Sequence, residues 1–102
     1  MLIGIVPKIK KNRTEYEFSV DLNLINFLYF VFPKSNCEII YSKDFGKKID
    51  MLILSGGNDL LSFNKNKEHK MRFDLDFFFF TKAIKKNIPV IGICYGAQFL
   101  AN

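Results

Sequence analysis

Ile91-Gly92-Ile93-Cys94-Tyr95-Gly96-Ala97-Gln98 reads as strand, tight turn and helix in immediate succession. Pro89 opens the run, and Val90, Ile91 and Ile93 give it the apolar, β-branched character of a strand. Cys94 stands at the centre of Gly-x-Cys-x-Gly, the pattern of a nucleophile elbow with sulfur in place of oxygen. The pattern has a steric cause. A side chain held outward on a strand-to-helix turn needs a strained backbone, and two positions to either side the chain passes too close for a Cβ. Glycine stands at both positions, 92 and 96. A helix starting there would aim its N-terminus at the sulfur and favour thiolate over thiol. The Tyr95 amide would then donate to a developing oxyanion. Gly-x-Cys-x-Gly taken alone also suits a small buried cysteine ending a strand; the apolar run before it and the helix after it favour the nucleophile.

Working outward, Met51-Leu52-Ile53-Leu54 is a second strand, apolar on both faces, broken sharply by Ser55-Gly56-Gly57-Asn58-Asp59. A Gly-Gly pair lets backbone amides approach a ligand closely, although an ordinary turn has the same signature. Leu2-Ile3-Gly4-Ile5-Val6, closed by Pro7, is a third strand, and residues 37–41 are a fourth. Residues 8–14 are expected as a polar loop. Phe18, Leu22, Ile25, Leu28 and Tyr29 recur at helical spacing and predict a helix over 15–32, stopped by Pro33. Residues 64–71 read as a charged, exposed loop holding His69. A second helix is expected over 74–86, with acids in its first turn, lysines in its last and Asn87 as its cap. Residues 96–102 begin a third. Alternation of strands and helices predicts an α/β domain: a three-layer, flavodoxin-like, mostly parallel sheet. Ligands bind such sheets beyond the carboxyl ends of the strands, where both glycine-bearing breaks fall.

At 102 residues, 49% apolar, the chain suits one domain with a core of its own. The net charge of +5 comes from lysines scattered in short groups, without the basic stripe and aromatic interleaving of a nucleic-acid surface. No apolar run is long enough for a membrane span or a signal core. The two cysteines, Cys37 and Cys94, are too few for a disulfide scaffold. A reducing cytoplasm is the expected setting. Cys37, inside a strand, reads as a core residue. No metal and no cofactor is called for.

Ser-Gly-Gly-x-Asp, followed about 35 residues later by Pro-Val-x-Gly-Ile-Cys-x-Gly-x-Gln-x-Leu, resembles the class I glutamine amidotransferases. The free-standing γ-glutamyl hydrolase type is the most similar branch. The resemblance implies that Cys94 attacks the γ-carboxamide of glutamine or a γ-glutamyl compound. It implies that Gly56, Gly57 and the Tyr95 amide form the oxyanion hole and that Gln98 holds the amino-acid part of the substrate. Arg72 and Asp76 match an Arg and an acid of the family's preceding helix, while Phe73 stands where the family often has Asp. The family places its catalytic His and Glu far downstream of the Cys, and here the sequence has eight residues after Cys94. Residues 1–102 therefore read as the N-terminal part of such a domain, ending just past the elbow and inactive alone. A second polypeptide carrying the other half, or a synthetase taking up ammonia, is the protein partner this implies. A non-catalytic flavodoxin-like module binding a small anion or a protein is the alternative.

Overall fold

Residues 1–56 and 67–93 are described in the computed structural model. The β-branched run Leu2–Val6 forms strand β1 and is buried from its second residue onward. Pro7 cannot donate to the ladder, yet the chain stays extended and folds back as a hairpin of β2 (Lys8–Asn12) and β3 (Glu15–Ser19). The loop predicted over 8–14 is thus half of this hairpin. Strand periodicity explains it: Ile9 and Lys11 pair with Phe18 and Tyr16 on one face, and Ile9 is buried in the main core. Arg13, in the tight turn, takes a φ of 52°, the left-handed sign that two-residue hairpin turns demand.

The same hairpin shortens the first predicted helix. Phe18 fits the helical spacing of Leu22 and Ile25 and also alternates with Tyr16 as a strand would, and pairing with β2 decides for strand. Helix α1 (Leu22–Val31) starts at Asp21, whose carboxylate accepts the Asn23 amide at 2.9 Å. That cap satisfies one of the free amides of the first turn and stops the helix from running backward.

Strands β4 (Asn36–Ile39), β5 (Met51–Leu54) and β6 (Val90–Gly92) join β1 in one sheet of order β4-β1-β5-β6, every pair parallel. The chain leaves β1 in one direction to reach β4, then in the other to reach β5 and β6. Right-handed crossovers in opposite directions put their helices on opposite faces. Ile3, Ile5 and Ile53 accordingly pack with Leu28 of α1. Val6, Leu52 and Leu54 pack with Leu75, Phe79 and Ala83 of α2 (Lys67–Lys85). Gly4 faces the second layer: a Cβ there would lie 2.7 Å from Ile40 Cδ1 and 3.0 Å from Ile49 Cγ2.

Helix α2 begins at Lys67, seven residues before the predicted start. Its buried stripe is His69, Arg72, Leu75, Asp76, Phe79 and Ala83. The spacing is helical throughout, but the first turns of the stripe are polar, which is why they read as surface. At its other end Asn87 takes a φ of 56°, the Ile88 amide donates to Ala83 O at 2.9 Å and the Asn87 amide to Ile84 O at 3.2 Å. This is the Schellman pattern, with Asn at the left-handed position, as expected from the sequence. Among the described residues no helix is long and apolar enough to cross a membrane.

Candidate active site at the carboxyl edge of the sheet

All four strands run the same way, so their carboxyl ends share one edge. The strand order reverses between β1 and β5, which opens a crevice at that edge. Lys8 beyond β1, Ser55 and Gly56 beyond β5, and Ile93 beyond β6 line one cleft of about 440 Å³. Ser19, Val20, Asp21 and Leu24, from the end of the hairpin and the start of α1, complete its described wall.

The approach to the glycine loop is held from both sides. The Ser55 amide and hydroxyl both donate to Val6 O, at 3.3 and 2.6 Å. From the α2 side, Arg72 Nη2 donates to the Ser55 carbonyl. Arg72 Nε donates to Asp76 Oδ1 and Oδ2 at 3.1 and 3.0 Å. Both side chains are fully buried, so the guanidinium is neutralised by one partner and directed by the other. At β6 the Ile93 amide donates to Leu54 O at 2.9 Å. The strand therefore keeps its pairing up to the residue before Cys94. Backbone fixed in this way is what amides aimed at a developing oxyanion require, because reorientation during reaction would forfeit the gain.

The profile of the peptidase C26 family matches residues 3–102. The chain belongs to the peptidase C26 family. These are γ-glutamyl hydrolase-type members of the class I glutamine amidotransferases, in agreement with the resemblance carried by the two glycine-bearing motifs. No curated protein and no solved structure matches the chain. The parallel sheet with a helix layer on each face is the flavodoxin-like α/β fold of such a domain.

In this peptidase C26 chain, Gly56 lines the cleft; Gly57, Cys94, Tyr95 and Gln98 lie outside the described residues. Their chain neighbours Gly56 and Ile93 are nevertheless brought to the same cleft. Arg72 and Asp76, matched to the family by resemblance alone, prove to be the buried pair behind the glycine loop. Phe73, at the position of a frequent Asp, stacks on Phe77 with centroids 6.2 Å apart and planes 15° from parallel. His69 corrects the sequence reading. It is not an exposed loop residue but a buried one on the α2 stripe, and it is not among the described residues lining the cleft. Lys8 and Asp21 were missed as site residues. Asp21 before an apolar run was legible as a helix cap, but nothing local says that this cap borders a cleft.

Cys37 sits half-buried in β4. Burial pushes its thiol above the ordinary range, with a hydrogen bond from Tyr29 opposing the shift. Reaction with alkylating agents follows the thiolate. At neutral pH, iodoacetamide should therefore modify Cys94 and spare Cys37, which joins in only as pH rises past the usual thiol pKa of about 8.5. Peptide mapping after short exposure reads this directly; modification of Cys37 ahead of Cys94 would contradict it.

Proposed function

We propose that this peptidase C26 chain carries the nucleophile side of an amidohydrolase that opens the γ-amide of glutamine or of a γ-glutamyl compound. The Cys94 thiolate attacks the γ-carbonyl carbon, and the carbonyl electrons move onto oxygen. The Gly56-Gly57 backbone and the Tyr95 amide receive that oxyanion, and Gln98 holds the amino-acid part. Collapse expels the amine, which takes a proton from a general acid, and leaves a thioester on Cys94. Water then adds, losing its proton to the same group acting as base, and glutamate and thiol are released. The observation that supports this most is the convergence of Gly56 and Ile93 on one cleft at the carboxyl edge.

No histidine follows Cys94 in the 102 residues, and the only histidine, His69, is buried in α2. In this reading the proton-transfer histidine and its glutamate lie outside these 102 residues. A reducing cytoplasm, where the thiol persists, suits such chemistry.

A chloroketone analogue of L-glutamine, with a chloromethyl ketone in place of the γ-carboxamide, tests the reading without needing that histidine. The thiolate displaces chloride and forms a C–S bond to the probe. Alkylation of Cys94 should saturate with probe concentration and slow in the presence of L-glutamine. Second-order, unprotected alkylation would count against the reading and favour a binding module without this chemistry.

A further inference from the structure

Lys8 and Asp21 have no part in the chemistry above, yet they are the only charged residues among the described lining of the cleft. The other described lining residues are neutral: Ser19, Val20, Leu24, Ser55, Gly56 and Ile93. We infer that Lys8 and Asp21 recognise the zwitterionic head of an amino-acid substrate, the ammonium of Lys8 taking its α-carboxylate and the carboxylate of Asp21 its α-ammonium. This rests on the amidohydrolase reading and names what selects its substrate. One charge of each sign suits a zwitterion better than a simple anion, for which Asp21 would be repulsive.

The backbone fixes both residues at the cleft. Lys8 follows buried Pro7 at the end of β1 and pairs across the hairpin base with Ser19, another lining residue. Lys8 is half-buried, and a lysine in such a place can cover apolar surface with its stem while its ammonium stays at the opening. Asp21 is fixed by its cap: one carboxylate oxygen accepts the Asn23 amide at 2.9 Å. An ionised carboxylate has about four acceptor sites, so capping leaves capacity for an ammonium. Val20, Leu24 and Ile93 offer apolar wall for the substrate's methylenes. A γ-glutamyl group separates its α-carbon from the reacting carbonyl by three carbon–carbon bonds, roughly 4 Å. A cleft of about 440 Å³ accommodates both ends, with Ile93, the residue before Cys94, on its wall.

The test compares two reagents for the same thiol. The glutamine chloroketone carries the zwitterionic head; iodoacetamide does not. Lys8→Met keeps the stem without the charge, and Asp21→Asn keeps the helix cap without the charge. In each variant the chloroketone rate at Cys94 should fall about tenfold or more, the scale of one lost charge-assisted hydrogen bond, while the iodoacetamide rate stays at the wild-type value. Lys8→Arg should retain most of the chloroketone rate. Unchanged chloroketone rates in both variants overturn the assignment. So do equal falls with both reagents, which would mean that the charges act on the thiolate or the fold. If the wild-type chloroketone reaction is neither saturable nor protected by L-glutamine, the amidohydrolase reading fails first, and a separate result records it.

Discussion

Arg72→Met should lower the stability of the folded chain by about 3–5 kcal/mol, the cost of stranding one member of a buried ion pair. The side chains of Arg72 and Asp76 are both fully buried. Without the guanidinium, buried Asp76 loses the cation paired with it, and the Ser55 carbonyl loses the donor behind it. Urea denaturation measures the loss as a lower midpoint. Arg72→Lys should not rescue it, because an ammonium cannot span Asp76 and Ser55 with the planar fork of a guanidinium. Arg72→Met combined with Asp76→Leu should recover most of the stability, since replacing both members of a buried ion pair by apolar groups leaves neither ion to be desolvated. A single variant as stable as wild type would show that the pair is not the structural element its burial indicates.

Cys94→Ala should reduce glutamine hydrolysis by the assembled site about 10⁶-fold, the scale seen when a catalytic triad loses its nucleophile. The 102-residue polypeptide alone is expected to give no turnover, because the leaving amine needs a proton that a thiolate cannot supply. Turnover should appear when a polypeptide bearing the downstream histidine and glutamate is added, and disappear again with Cys94→Ala. Ammonia release measured with and without that polypeptide reads both effects. Hydrolysis by the 102 residues alone, abolished by Cys94→Ala, would mean that another group serves as base; His69 would then be the first residue to replace. Activity surviving Cys94→Ala in the assembled site would remove the nucleophile assignment altogether.

Two kinds of information separate along this chain. The parallel sheet was legible from composition and punctuation: Leu2–Val6 and Met51–Leu54 are apolar on successive residues, as strands covered on both faces must be. The Asn87 cap was legible because a left-handed residue has few candidates and stands between a helical stripe and Pro89. The breaks after β5 and β6 were legible as chain turns because close backbone approach excludes a Cβ whatever the surroundings, and their described ends, Gly56 and Ile93, line one cleft. The hairpin was not, since Phe18 fits the helical spacing of Leu22 and Ile25 as well as strand alternation with Tyr16, and only pairing with β2 chooses between them. Nor were the first turns of α2. His69, Arg72 and Asp76 look like surface residues until the tertiary fold closes over them, and burial of a charged side chain depends on a partner that local sequence does not name. The cleft is the clearest case. Lys8 and Ile93 are far apart in the chain, and their meeting at one edge follows from strand order, which is decided by how the helices cover the two faces of the sheet. Local sequence set the type of each strand of the parallel sheet and the chemistry available at its end; packing decided which of those ends share a cleft.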